Sequence, residues 1–425
     1  MDKKHTLILK IIFGFVLGTA IGVLLSEFAT PCVINRVIRY VAPFGNVLVA
    51  MLKMVVYPII LFSLIVGAAA LPLKQSGKIG GMVLGWYFAT SLFATIFGVA
   101  LAYVLNPTMP TATQVASENL AGANALASHA ADTSLGGFIV GLFQNPFSAL
   151  ANGQFLPIIV FAIIFGLCAR YLMDRGGSER EVVELVIRFC DGAQRISFQI
   201  IDCVIHYFPI GVFALSLVNF AENGTLLFGP YCRIVTCVIV GVLSMILVIY
   251  PLAIAVFCRE NPYRFIFRIR QPIVTAFVTR SSAATMPVSF KAMDDLGVAR
   301  SLSSFSIPMG ATVNMDGVCV HLPVFVILAA NMFGHPLSIV QIAMLCVSII
   351  FASIGAGGIP GGSVFLLFMV LESMGLSSDQ VSLIVALALG INPILDMFET
   401  CCNVTGDNVC TYIVAKMNNL VGVKK

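Results

Sequence analysis

Five oxygen-bearing side chains stand inside otherwise apolar stretches: Asn314, Asp316, Asp396, Asn403 and Asp407. Amide and carboxylate oxygens are the ligands that hard cations prefer, and polar groups between apolar stretches are costly enough to count as functional hypotheses. The set lacks the His and Cys ligands usual for zinc. On a helix Asp396 and Asn403, seven apart, would share a face, as would Asp396 and Glu399, three apart. Two readings fit this pattern: a cation site, or a satisfied hydrogen-bond network between helices. Helix ends unwound around Asn314 would also free backbone carbonyls for a cation.

Four polar or glycine-rich interruptions carry these residues: Thr279 to Thr285, Asn314 to Gly317, Gly355 to Gly362 and Asp396 to Asp407. Gly355 to Gly362, with Pro360 inside, cannot continue a helix. Apolar residues on both sides favour a re-entrant hairpin over a surface loop. Thr279 to Thr285 has the same form with a hydroxyl-rich tip. Such tips expose backbone N–H groups and helix N-termini, which suit a carboxylate. Non-helical backbone at membrane depth survives only where protein buries it or it lines a watery cavity. Two hairpin-like segments, each followed by a polar-broken helix, point to an internal repeat meeting at mid-membrane, a secondary-transporter pattern.

The elements that must hold these residues are membrane helices. The chain has 425 residues, 59% of them hydrophobic and only 10% charged, against about 25% charged in a soluble domain. Mean hydropathy is +0.99. That composition excludes a soluble enzyme, a disordered chain and a nucleic-acid binder. At about 20 apolar residues per crossing there is material for roughly eight to ten segments. Long continuous apolar runs argue against a β-barrel. No H-E-x-x-H, G-x-S-x-G or phosphate-binding loop is present, and the five histidines are scattered, so neither an intramembrane enzyme nor an ATP-driven pump is expected. No C-x-x-C pair occurs among the 12 cysteines, and no disulfide framework is expected.

The continuous apolar segments fall at 7–25, 43–71, 79–105, 136–173, 182–221 and 231–258, followed by the interrupted stretches 262–296, 301–334, 338–375 and 378–417. The first reads as a retained helix rather than a cleaved leader. Residues 106–135, free of Lys and Arg, read as an exposed loop. Basic residues cluster at Lys3, Lys4 and Lys10, at Lys74 and Lys78, from Arg170 to Arg188, from Arg259 to Arg270, and at Lys424 and Lys425. Alternate loops carry few, which places both termini in the cytoplasm.

Four motifs then make the chain recognisable: Thr279-Arg-Ser-Ser-Ala-Ala-Thr-Met-Pro287, Gly310-Ala-Thr-Val-Asn-Met-Asp-Gly317, Gly358-Ile-Pro-Gly-Gly362 and Asp396 through Asn403-Val-Thr-Gly-Asp407. In order and spacing the sequence closely resembles the sodium-coupled dicarboxylate/amino-acid symporters, the glutamate transporter family. Fainter similarity at Met51 to Pro58 and Asn145 to Pro157 extends the resemblance over essentially the whole chain.

The resemblance implies an all-α fold of eight transmembrane helices plus two re-entrant hairpins in inverted repeats. It implies a homotrimer in a bacterial inner membrane, with a mobile transport domain moving like an elevator along a scaffold. Residues 1–78 and 136–221 would form the scaffold. Residues 79–135, 222–261 and 262–425 would form the transport domain. No cofactor is expected beyond sodium as the coupling ion. Gly310, Asn314 and Asn403 would give carbonyls, and Asp407 a carboxylate, to one sodium. Tyr87, Thr90, Ser91, Asn314 and Asp316 match a second site. Thr312 and Met315, with carbonyls of Ser353, Ile354 and Ala356, match a third. The runner-up coupling ion is a proton. Animal members carry a proton-linked Glu where this chain has Leu322, and the neighbouring His321 reads as a packed histidine rather than a proton carrier.

For the substrate, the resemblance puts an α-carboxylate on Ser281 or Ser282 and Asn403, and an α-ammonium on Asp396 with Thr400 assisting. Gly358, Ile359 and Gly362 of the second hairpin join the substrate residues. The side-chain end departs from the pattern. Acidic-substrate members have Arg three residues after the Asp, and this chain has Glu399; they have Thr after the Asn-Met-Asp-Gly motif, and this chain has Val318. A guanidinium fork binds a carboxylate bidentately, and a carboxylate in its place repels it. A neutral substrate is favoured, ahead of a basic or diamino one such as cystine. Glu399 would be protonated and donate to a neutral polar side chain in the first case, or ionised and select a cationic or second amino group in the other; a further reading pairs it with Arg280 and leaves the pocket open. The alternatives are an acidic amino acid or C4-dicarboxylate symporter, and an anion-conducting channel.

Overall fold

The structure, a computed structural model, describes residues 3–69, 77–105, 140–152, 155–333, 337–354, 362–374, 376 and 378–422. Among these there is no β-strand. The helices are α1 (Lys3–Phe28), α2 (Pro31–Ala69), α3 (Gly77–Leu105), α4 (Pro146–Ala151), α5 (Phe155–Arg175), α6 (Ser178–Asn223), α7 (Phe228–Ser244), α8 (Pro262–Arg268), α9 (Arg270–Thr279), α10 (Ser282–Asp295), α11 (Arg300–Val313), α12 (Asp316–Met332), α13 (Ile339–Ile354), α14 (Gly362–Ser373) and α15 (Ser378–Met417). Seven helical stretches among the described residues are long and apolar enough to cross a bilayer. The expected loop at 106–135 and the expected hairpin tip at 355–361 lie outside the described residues.

The exterior is apolar: Phe13, Tyr40, Phe44, Phe88, Val140, Phe189, Leu247 and Val274 are among its exposed large side chains. Within the apolar core of residues 282–411 lies a set of buried polar groups: Asn314, Asp316, Asp396, Glu399, Asn403, Asp407 and Asn408. An apolar exterior suits a solvent of hydrocarbon. All twelve cysteines are free.

Helices α1 and α2 both pack along α6, and α5 packs on α2. Against α6, α1 comes to backbone contact. A Cβ added at Gly14, Gly18 or Gly22 would lie 2.5, 2.4 or 2.7 Å from the carbonyl oxygens of Pro209, Phe213 and Leu217. Without a hydrophobic drive between helices in lipid, such small-residue seams supply the contact. The remaining helices form a second group. α3 lies along α12, and α15 is flanked by α9, α11 and α12.

The interruptions are shorter than the sequence implied. Between α9 and α10 only Arg280 and Ser281 leave helical geometry, and the two helices pack on each other. Between α11 and α12 only Asn314 and Met315 do. The fourth interruption, Asp396 to Asp407, is not a break: α15 runs unbroken from Ser378 to Met417. Its polar side chains turn back onto the helix's own carbonyls four residues earlier. Thr400 donates to Asp396 O (2.7 Å), Thr405 to Cys401 O (2.6 Å), Asn408 Nδ2 to Val404 O (2.7 Å) and Thr411 to Asp407 O (2.7 Å). This back-bonding lets a helix carry polar residues through an apolar setting. The described residues of the segment expected at 136–173 hold two helices, α4 and most of α5, with Asn145 capping α4 through its side-chain oxygen.

Candidate functional site

The break in the α11–α12 pair sets the centre of the site. Gly310 and the β-branched Thr312 and Val313 are weak helix formers, and α11 ends at Val313. Its carbonyl end carries partial negative charge, and the amide end of α12 partial positive charge. Asp316 occupies the first turn of α12, where a carboxylate is favoured.

Asn314 ties the break to α15. Its Nδ2 donates to Asp407 Oδ1 (2.9 Å) and to Asn403 O (3.1 Å), and its Oδ1 accepts from Thr90 Oγ1 at 3.4 Å. A Cβ at Gly310 would fall 2.3 Å from Asp407 Oδ1 and 2.7 Å from Tyr87 Oη. Gly310, Asn314, Asn403 and Asp407 are therefore brought together. Asp316 accepts from Ser91 Oγ (2.9 Å) and from Tyr250 Oη (2.7 Å). Tyr87 Oη donates to Ser306 O at 2.9 Å. The structure thus also gathers Tyr87, Thr90, Ser91, Asn314 and Asp316. Of the third set, Ser353 is buried and donates to Ile350 O (2.8 Å), Thr312 donates to Met309 O (2.9 Å), and Met315 Sδ accepts from Asn403 Nδ2 (3.3 Å). Ala356 lies outside the described residues, and Ile354 closes α13.

Tyr250 was not singled out from the sequence. A phenol beside Pro251 in an apolar helix is the one signal there. In the structure two π-helical turns, Met245–Ile249 and Ile254–Cys258, flank Tyr250–Ala253. Such turns recur at functional sites. They leave Tyr250 wholly buried against Asp316.

At the tip between α9 and α10, Arg280 takes a left-handed conformation, φ 52°, a strained backbone for a residue with a Cβ. Its guanidinium Nη1 lies 3.6 Å from Asp396 Oδ2. Ser281 and Ser282 differ in role. Ser281 is the N-cap of α10 and its Oγ accepts from Ala284 N at 3.3 Å. Ser282 is buried and its Oγ has no partner among the described residues. Arg280 Nε is likewise without a partner. Two orphaned buried polar atoms thus flank the Arg280–Asp396 pair. Asn403 Oδ1 accepts from Gly317 N at 2.7 Å. Thr400 turns its hydroxyl to Asp396 O rather than outward. Gly362 opens α14, and Gly358 and Ile359 lie outside the described residues.

Arg280 does not pair with Glu399, the partner considered from the sequence; it pairs with Asp396. Glu399 instead hydrogen-bonds His321 Nδ1 through Oε1, with both side chains buried. Val318 is buried on α12, one turn before Leu322. His321 is packed, as expected, and also partnered.

An all-helical membrane protein whose interior holds oxygen donors beside an Arg–Asp pair is built to bind a small charged solute. The chain belongs to the Sodium:dicarboxylate symporter family, whose sequence model matches residues 7–417. It is 31% identical to human Neutral amino acid transporter B(0), over 95% of this chain and 79% of that protein. It is 29% identical to the Serine/threonine transporter SstT of Bifidobacterium adolescentis, over 95% and 87%, and 28% identical to Excitatory amino acid transporter 3 of Oryctolagus cuniculus, over 98% and 86%. The family and these relatives are transporters, not enzymes.

Proposed function

We propose that the protein is a sodium-coupled symporter for a neutral α-amino acid. The observation that carries this reading is that Glu399 is capped by His321 while Asp396 faces Arg280. A zwitterion's ammonium fits Asp396, and its carboxylate fits Ser282 Oγ and the amide end of α10. Arg280 balances the charge of Asp396 and adds a donor for that carboxylate. A second carboxylate in the side chain would meet Glu399, and a free anionic receptor for a cationic side chain is not offered, because His321 holds that carboxylate. The similarity to transporters named for neutral amino acids and for serine and threonine supports the same choice.

Sodium would be held by Gly310, Asn314, Asn403 and Asp407, and by Tyr87, Thr90, Ser91, Asn314 and Asp316, with Thr312, Met315, Ser353, Ile354 and Ala356 as the third set. All are oxygen donors except Met315, which suits a hard cation. Asn314 belongs to two sets, which links occupancy of one to the other. In this reading eight crossings and two re-entrant hairpins, α9–α10 and α13–α14, form a scaffold of residues 1–78 and 136–221 and a transport domain of 79–135 and 222–425. The transport domain moves like an elevator in a homotrimer, with both termini cytoplasmic in a bacterial inner membrane. The packing of α1, α2 and α5 is mainly with α6 and one another, with fewer contacts to the group around α15, which supports the division.

The test is a thermal-shift screen of the purified protein against the amino acids, with and without sodium. Ligand that binds only the folded state raises apparent stability by mass action. A shift that needs both sodium and a neutral amino acid is expected. A shift with aspartate alone, or none with serine, overturns the reading.

A further inference from the structure

His321 and Glu399 meet because of a close helix crossing. A Cβ at Gly317 would fall 2.5 Å from Glu399 O and 2.6 Å from Glu399 Cα, so α12 and α15 touch backbone to backbone there. Gly317 N donates to Asn403 Oδ1 at 2.7 Å, which makes one rung between the helices. One turn further along α12 is His321, and one turn back along α15 is Glu399; their hydrogen bond is the second rung. The imidazole also packs on Phe325, with ring centroids 4.8 Å apart. Side-chain exposure is 0% for His321 and 1% for Glu399. Their outer atoms, His321 Nε2 and Glu399 Oε2, have no partner among the described residues. A buried polar atom left unpaired is expensive.

We propose that His321 and Glu399 act as one unit without net charge, and that this unit selects a substrate whose neutral side chain donates a hydrogen bond. His321 is the specificity-determining partner. The proposal deepens the neutral-substrate reading above and rests on it. With a proton on Nε2 and one shared between Nδ1 and Oε1, the charges of the pair cancel. The shared proton lies between Oε1 and Nδ1 whichever atom holds it, so Oε2 is an acceptor in either case. Glu399 stands on α15 three residues after Asp396 and four before Asn403, so a zwitterion held at Asp396 and Ser282 brings its side chain towards Glu399. A hydroxyl or amide donor satisfies Oε2. An apolar side chain leaves it bare, and sites built around a hydrogen bond discriminate strongly against such analogues. Without His321 the carboxylate is a lone buried charge, which favours a cationic partner.

The test uses the full-length protein in lipid nanodiscs with sodium, and three side chains of one size: L-homoserine, L-norvaline and L-2,4-diaminobutyrate. Binding is read by calorimetry. Wild type is expected to bind homoserine at least about tenfold more tightly than either analogue. His321→Gln is expected to move the homoserine-to-diaminobutyrate ratio towards diaminobutyrate by about tenfold or more. His321→Gln/Glu399→Gln removes the charge and is expected to abolish that gain. A merely structural role for His321 would weaken all three ligands in parallel, and an unmoved ratio overturns the proposal. Where His321→Gln fails to fold, the wild-type series decides, because a preference for diaminobutyrate, or for norvaline equal to homoserine, overturns it as well. Absence of any sodium-dependent binding of neutral amino acids, serine included, would instead overturn the symporter reading on which the proposal rests.

Discussion

Gly310→Ala is the sharpest probe of how the cation residues are assembled. The new Cβ would stand 2.3 Å from Asp407 Oδ1, 2.6 Å from Asp407 Cγ and 2.7 Å from Tyr87 Oη. A relaxed carbon–oxygen contact is about 3.3–3.6 Å, so the carboxylate must retreat by about 1 Å. That retreat stretches the 2.9 Å bond from Asn314 Nδ2. Overpacking of this kind costs about 1–3 kcal/mol, and a buried amide left without its acceptor adds about 1–3 kcal/mol. Since 1.4 kcal/mol is about tenfold in an equilibrium constant, loss of even the smaller sum from the sodium-bound state weakens sodium by more than about tenfold. The assay is sodium titration of serine uptake in proteoliposomes, with thermal shift against sodium in parallel. Gly81→Ala in α3 serves as control, because its Cβ meets nothing within 4 Å. The control is expected to keep its sodium dependence. A wild-type sodium curve for Gly310→Ala would refute the placement of Asp407 against α11.

Other perturbations separate structure from ligand binding. Tyr250→Phe removes the 2.7 Å bond to Asp316, and bonds to charged groups are worth about 1.5–3 kcal/mol; a fall in Tm with a rise in the sodium needed for half-maximal uptake is expected, and neither change would remove Tyr250 from the site. Ser281→Ala deletes a helix cap and should cost about 0.5–2 kcal/mol of stability, whereas Ser282→Ala should spare stability and raise the substrate KM; the reverse pattern in paired melts and uptake curves would contradict the assignment. Acid should loosen the end of α15, where Glu260 accepts from Lys416 (2.5 Å) and Tyr412 (2.8 Å). Burial pushes the Glu260 carboxyl up, but the hydrogen bonds from Lys416 and Tyr412 and the charge of Lys416 outweigh it and hold it below its usual range. A depressed carboxyl contributes stability at neutral pH that is lost as pH falls through its folded value, below about 4.3. Hydrogen-exchange protection across residues 412–420 should drop in that window, and constant protection would exclude the contact as a clamp.

Much of this protein was legible in its sequence. Long apolar runs fixed the helical membrane class, since backbone in lipid must pair within its own segment. The positions of Asn314, Asp316, Asp396, Asn403 and Asp407 marked buried polar positions, because polar groups facing hydrocarbon are costly. Three things needed tertiary structure. The stretch from Asp396 to Asp407 read as a break, yet the helix is whole, and Thr400, Thr405, Asn408 and Thr411 satisfy their polar groups on its own carbonyls, so no interruption is needed to accommodate them. Tyr250 lies 66 residues before the Asp316 it donates to, a separation no local pattern bridges. The sequence offered Arg280 as a partner for Glu399, and the structure gives Arg280 to Asp396 and His321 to Glu399; all these pairs lie far apart in the chain, where no local pattern selects among them. The crossing at Gly317 is where α12 and α15 touch backbone to backbone, at Glu399 itself, and it brings His321, one turn further along α12, within reach of the Glu399 carboxylate.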